Sequence, residues 1–376
     1  MRWKHWFRYP TAIRRAKHHL TRHGVDPMTE DLGSSIGLDL YTDDLLLDCG
    51  RHLACIAEHA RRIQSPVILR CSKWLLASIA HKKLGQRFLS QPSVRWIAPR
   101  DRFTNATLVF TDYTVRRVAR DLHTCRTVRM MIGRQSIPDV PVMPYPMHPV
   151  HVQRATPEHL DQRRQQPKAG IFFAGNQKSR YGRDSMADQF GVLPRLQILE
   201  IVRRHFPDQV TDLQADGNEE SIVLRDSQAD PIASEDWLPT LASHRFFLCC
   251  PGASQPVCHN LVESMSVGVV PILEYGDRLS PPLTDGVNAI RFHGEQGLIE
   301  AIRRIRLMHP EQKRQLSHAA AEYYDRHLDG ANFLSDALHR QTLDHAGMVM
   351  MPFHHVNLFD ESLLDRHRDG IAVRSA

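Results

Sequence analysis

The chain reads as an α/β protein of two domains, each built on a parallel sheet. Three observations predict this. Short apolar runs alternate with helical patterns from about residue 37 to 135 and again from 170 to 328, the signature of parallel strands covered by helices. Residues 137–149 hold five prolines and form an extended connector between the two regions. With 376 residues, 42% apolar and 24% charged, the chain can bury two cores of ordinary size and is not a disordered polymer.

The elements follow in order. Residues 1–36 open with a basic, aromatic segment in which Trp3, Trp6, Phe7, Ile13 and Leu20 recur at near-helical spacing among Arg2, Lys4, Arg8, Arg14, Arg15 and Lys17. Pro10 interrupts any continuous helix there. Two readings stand: contact of residues 1–20 with an anionic membrane surface, or a terminal helix packing its aromatics on the body. The first domain spans 37–150. Residues 45–47, before Asp48, Cys49 and Gly50, read as a strand end; 53–63 and 74–79 read as helices; 67–69, 94–97 and 108–110 read as strands.

The second domain spans 151–345. Residues 170–175 read as a strand ending in small residues, 193–206 as a helix with apolar Leu196, Leu199, Val202 and Phe206, and 222–224 as a strand. The stretch 236–277 is the most informative. Trp237, Leu238 and Leu241 sit at helical spacing behind Ser234, a candidate N-cap. Residues 246–250 form a continuous apolar run, as in a strand buried on both faces. Pro251 and Gly252 end it, a polar loop leads into a helix over 260–267, Gly268 stops that helix, and 269–273 is the next strand. This is a βαβ unit, and open α/β sheets bind ligands where such strands end and helices begin. Helices are read over 298–308 and 312–328. The tail, 346–376, is apolar enough at Met348, Val349, Met350, Met351 and Phe353 to dock on the body.

Chemistry points to an anionic ligand. The net charge is +6, and Asn176, Lys178, Arg180 and Arg183 crowd the loop after the strand 170–175, with Arg195 at the start of the next helix. Arginine forks and a free helix end suit a diphosphate. A solvated basic loop is the alternative reading. The P-loop pattern is absent, as are H-E-x-x-H and C-x-x-C, so no metal is expected. The seven cysteines suggest no framework, and Cys249 and Cys250 read as core, which fits a reducing compartment. Without an apolar leader or a spanning run of about 18–20 residues, the expected location is the cytoplasm, with the inner face of the membrane as the place for any peripheral contact. No nucleic-acid signature is legible, and charge alone argues weakly for one.

Ser243, Phe246, Leu248, Pro251 and Gly252, followed by Glu263, Gly268, Pro271 and Ile272, are similar to the donor-binding half of GT-B glycosyltransferases, in flavour the exostosin-like ones. Residues 283–292, LTDGVNAIRF, resemble the turn that follows this unit in many such enzymes. The resemblance covers about 165–330. It implies two Rossmann-like domains facing across a cleft, with hexosyl or related transfer from a nucleotide-diphosphate sugar to a glycan or lipid-linked acceptor, and neither metal nor further cofactor. It implies that Glu263 holds the donor's ribose and that the Lys and Arg of 176–195 hold its phosphates. Pro251, Gly252, Ser254, His259 and Asn260 would lie against the diphosphate or sugar, and the tail would cross back to the first domain. If the reaction inverts, a first-domain acid serves as base: Asp48 is the candidate, with Asp43, Asp44 and Asp112 as rivals and a helix-capping role as the other use of Asp48. The competing function is a non-catalytic GT-B-like or basic α/β protein that binds nucleotides or nucleic acid.

Overall fold

The computed structural model describes residues 9–21, 34–46, 49–103, 106–112, 125–132, 140–211, 218–339, 343 and 347–352. Its twelve strands form two six-stranded sheets. The first contains β1 (Ser35–Leu40), β2 (Val67–Cys71), β3 (Val94–Ile97), β4 (Ala106–Thr111) and β5 (Arg126–Ile132). The second contains β6 (Ala169–Gly175), β7 (Val210–Thr211), β8 (Ile222–Asp226), β9 (His244–Leu248), β10 (Val270–Leu273) and β11 (Ile290–Arg291). The last strand, β12 (Met348–Met351), returns to the first sheet. The strand orders are β12-β5-β4-β1-β2-β3 and β11-β10-β9-β6-β8-β7, and the pairings are parallel throughout. These are two Rossmann-like α/β domains, the expected fold class.

Burial on both faces explains the composition of the strands. In β6, Ile171 and Phe173 enter one core cluster while Phe172 and Ala174 enter the other. In β9, Phe246 and Leu248 divide from Phe247 in the same way. Side chains alternate across a pleated strand, so each central strand feeds two helical layers.

The opening of the first domain differs from the sequence reading. Leu45 and Leu46 are not in a strand: Asp44–Leu46 is a single 3-10 turn, the strand lies earlier, at β1, and Leu47 lies outside the described residues. Asp39 disguises it. That carboxylate is buried at the sheet centre and accepts from Arg70 of β2, Nε to Oδ1 at 2.8 Å and Nη2 to Oδ2 at 2.7 Å. A forked, fully hydrogen-bonded pair is what makes a buried charge tolerable there. Residues 9–21 are helical, and Pro10 does not interrupt the helix because it falls in the first turn, where its missing N–H has no intrahelical partner.

Helix Gly330–His339 places Leu334, Ala337 and Leu338 in the first domain's core. The chain therefore recrosses near Asp329, before the 346 boundary drawn from the sequence. Asp329 is met by Arg62 of helix Arg51–Arg62, with both contacts at 3.3 Å. Further on, β12 pairs with β5 and also bonds to the connector, where Met350 N donates to Pro141 O and Met143 N to Met350 O, each at 2.8 Å.

Candidate functional site

In the second sheet the order reverses at β6: β8 lies to one side and β9 to the other. The crevice at such a switch point, beyond the carboxyl ends of the strands, is where open α/β sheets take ligands. Here it is bounded by the loop after β6 and the loop after β9.

Arg195 joins these loops. It opens helix Arg195–His205, is 8% exposed, and donates from Nη1 to Asn176 O and from Nη2 to Pro251 O, each at 3.0 Å. Its guanidinium also lies 4.0 Å from the Tyr181 ring centroid. The planar fork satisfies two carbonyls at once, a task a lysine cannot perform in the same geometry. Each terminal nitrogen gives one bond to a loop carbonyl, so Arg195 holds the two loops together.

The remaining residues of the basic loop are in the open. Lys178, Arg180 and Arg183 are exposed, with Arg180 leaning on the Tyr181 hydroxyl at 3.1 Å. Asn176 turns its side chain onto the Lys178 N–H at 2.9 Å and shapes the loop. Across the crevice, Gly252 N donates to Gln255 O at 3.1 Å, and a Cβ at Gly252 would stand 2.7 Å from that oxygen. The turn therefore requires glycine. Ser254 is exposed at its tip. Helix His259–Ser266 follows, and its N-cap, Cys258, makes no side-chain capping bond. Such a helix start leaves donors to backbone, water or ligand. Asn260 spends Nδ2 on Ala174 O at 3.1 Å, which fixes this helix to the end of β6.

Glu263 sits one turn further in and is fully buried. Oε1 accepts from the backbone N–H of His148 at 2.8 Å and Oε2 from Trp237 Nε1 at 2.7 Å. Both oxygens thus accept from the protein, on an acid with no exposed surface. Burial raises its pKa to about 7 in spite of these bonds and of Arg51 nearby. Around it His148, His151 and His259 cluster, with ring centroids 5.6 Å apart for His148–His151 and 6.2 Å for His148–His259. Burial lowers His148 to about 4 and His151 to about 3, and takes His259 well below the usual histidine value. The connector is further tied down by Gln255 Nε2, which donates to Tyr145 OH at 2.9 Å. Sequence reasoning missed Trp237, Tyr145 and His148 as partners of this region.

In the first domain, Asp48 lies outside the described residues. Asp112, at the end of β4, accepts from Tyr41 N at 2.7 Å, Thr42 N at 2.9 Å and Thr42 Oγ1 at 2.7 Å. Burial raises its pKa, but its oxygens serve to hold the loop after β1. Asp44 accepts from Thr42 Oγ1 at 2.9 Å. The glycine-containing turn 284–289 is a structural clasp in which Asp285 takes a fork from Arg304 at 2.6 and 2.8 Å and accepts from Arg291 N at 2.8 Å. Among the described residues no group of three or more His, Cys, Asp or Glu is placed to hold a metal ion. No described helix is long and apolar enough to cross a membrane.

Two parallel Rossmann-like sheets joined by a connector, with the chain crossing back at its end, define the GT-B class of architecture. No family model and no curated protein matches this chain. Solved structures do. A glycosyltransferase from Rickettsia africae aligns at 10% identity and a TM-score of 0.43, covering 83% of this chain and 99% of that one. HepE from Anabaena in complex with UDP aligns at 11% identity and a TM-score of 0.39, covering 81% and 99%. WaaG, a glycosyltransferase involved in lipopolysaccharide biosynthesis, aligns at 13% identity and a TM-score of 0.36, covering 81% and 99%.

Proposed function

We propose that the protein is a GT-B glycosyltransferase that binds a nucleotide-diphosphate sugar at the switch point of the second sheet and transfers the sugar to a glycan or lipid-linked acceptor. One observation carries the reading. Arg195 clamps together the loops after β6 and β9, the first of which carries the exposed Lys178, Arg180 and Arg183 while the second leads into the uncapped start of helix His259–Ser266. Basic side chains and the backbone donors of a helix start on clamped neighbouring loops suit a leaving diphosphate, which develops negative charge. The motif resemblance over 243–272 falls on the same loops.

In this reading Arg180 and Arg183 neutralise the diphosphate, with Lys178 as a point charge beside them. Gly252 and Ser254 offer the turn against which the phosphates or sugar rest, and His259 lies at the helix start. Arg195, Asn260 and Glu263 are positioning residues: each holds backbone or connector in place. Asp48 is assigned as base for an inverting reaction, ahead of Asp112, both of whose oxygens accept protein hydrogen bonds, and ahead of Asp44. The donor is the only co-substrate this reading requires, and the connection of its sugar to a hexosyl class rests on the resemblance alone.

Calorimetry on the full chain tests the reading. UDP or GDP should bind more tightly than uridine or guanosine. Arg183→Ala should weaken the diphosphate about ten- to a hundred-fold and spare the nucleoside, as loss of a charge-assisted bond does. Equal loss for nucleoside and diphosphate, or none for either, would place the phosphates elsewhere.

A further inference from the structure

The charges of this chain are segregated. Residues 1–25 and 59–100 contain no Asp or Glu, yet hold sixteen of the 48 Lys and Arg. The rest of the chain carries all 42 acids against the remaining thirty-two bases. A protein of net charge +6 is therefore strongly positive in two stretches and net negative elsewhere.

The fold brings the two stretches together. Helix Tyr9–Thr21 packs on helices Lys73–His81 and Lys83–Leu89 and touches β3. Some bases of these stretches are consumed inside: Arg62 by Asp329, Arg70 by Asp39 and Arg87 by Glu58. Others face outward. Arg14, Arg15, Lys17, Lys73 and Lys83 are exposed, and none of the five meets a carboxylate among the described residues. Helix Tyr9–Thr21 keeps Ala16 inward at 0% exposure while Arg14, Arg15 and Lys17 turn out. Beside them Trp74 is 41% exposed and stacks on Tyr9 with centroids 3.5 Å apart.

We infer that this face docks the protein on an anionic lipid surface. Clustered Lys and Arg without intervening acids are attracted to such a surface, each base adding to the affinity. An amphipathic aromatic at the rim is the residue type that settles at a headgroup boundary. The aromatic favours lipid over nucleic acid as the occupant, and the sequence of residues 1–8, with Trp3, Trp6 and Phe7 among three bases, has the same character. The inference does not depend on the donor site.

Vesicle sedimentation with the full chain decides it. The wild type should bind phosphatidylcholine vesicles containing a quarter phosphatidylglycerol and leave pure phosphatidylcholine free. Binding should fall as salt rises from about 0.1 to about 1 M, where the Debye length shrinks from about 10 to about 3 Å. Reversing Arg14, Arg15 and Lys17 to Glu should weaken binding at least about a hundred-fold. These side chains are exposed, so the variant should unfold at the wild-type temperature. Reversing the exposed second-domain residues Arg303, Arg314 and Arg326 to Glu should leave vesicle binding unchanged. Equal binding to both vesicle types, wild-type binding by the first variant, or an equal loss in the second would overturn the inference. Tighter binding of a uridine oligonucleotide through the same three residues would also overturn it and make nucleic acid the partner.

Discussion

Glu263 holds together parts of the molecule that are distant in the chain. Its partners, Trp237 and the His148 N–H, lie 26 and 115 residues away. No local pattern reaches that far, so the sequence could single out the acid but not its company. Removing the carboxylate by Glu263→Ala orphans two buried donors at about 1–3 kcal/mol each, and urea unfolding should show that loss at every pH. Glu263→Gln behaves differently. The folded pKa of about 7 lies above the ordinary 4.5. The stability this raised pKa contributes is fully present below pH 4.5 and is lost as pH rises through about 7. The Gln variant keeps one acceptor oxygen but turns an NH2, which cannot accept, toward the second buried N–H, so it should lose about 1–3 kcal/mol near the acid end of that window, and its deficit against wild type should shrink toward pH 8. A deficit that widens toward pH 8 would show that the charged form is the stabilising one. His148 and His151 act with the opposite sign. Their depressed pKa values contribute stability above about 6.5 that is lost as pH falls through about 4 and about 3. His148→Asn keeps a side-chain acceptor at the cap of helix Pro149–Val152 and should flatten that acid loss, as read from unfolding midpoints between pH 7 and 4.

At the scale of elements, most of the fold was legible because its strands are short apolar runs set off by helical patterns. The strand β3 and the units around β6, β9 and β10 follow directly from such runs. The failure at β1 has a specific cause: a buried Asp39, neutralised by Arg70 from the next strand, makes a central strand look polar. The loops after β6 and β9 were legible, but not the wiring between them. Arg195 was expected to face phosphate, whereas it bonds to two carbonyls and makes the loops one unit. Arg195→Lys should therefore loosen both loops, lower affinity for nucleoside diphosphate, and also lower thermal stability by about 1–3 kcal/mol, since one buried carbonyl loses its partner. A purely ligand-facing arginine would leave stability unchanged. Helix packing offers a second test. A Cβ on Gly330 would stand 2.5 Å from Cδ2 of the buried His59 ring. Gly330→Ala forces one helix off the other, and overpacking of this kind costs about 1–3 kcal/mol in denaturant unfolding. Wild-type stability in that variant would mean that the two helices can part freely.

Across the whole molecule, the two domains are coupled by more than a connector. The second domain's core cluster includes Cys55 from a first-domain helix and Tyr145 and Met147 from the connector, and Cys55 Sγ donates to Met147 O at 3.2 Å. In return, the chain that has built the second sheet supplies the first with helix Gly330–His339 and with β12. A chain ending at His339 would leave the edge of β5 unpaired and the carbonyl of Pro141 without its donor, Met350 N. It would also remove four strand residues that are at most 6% exposed, Met348, Val349, Met350 and Met351. Burial of such side chains contributes about 1.5–3 kcal/mol each as an upper estimate, so the loss is on the order of 6 kcal/mol or more. Total stability for a domain is about 5–15 kcal/mol, and the truncation should take up a large part of it. Because the cores interlock, the loss should appear as one cooperative transition at lower urea, with the second domain's tryptophan, Trp237, reporting the same midpoint as far-UV circular dichroism. Two separated transitions, with the Trp237 midpoint unchanged by the truncation, would show that the second domain stands alone and that the returning strand serves only the first.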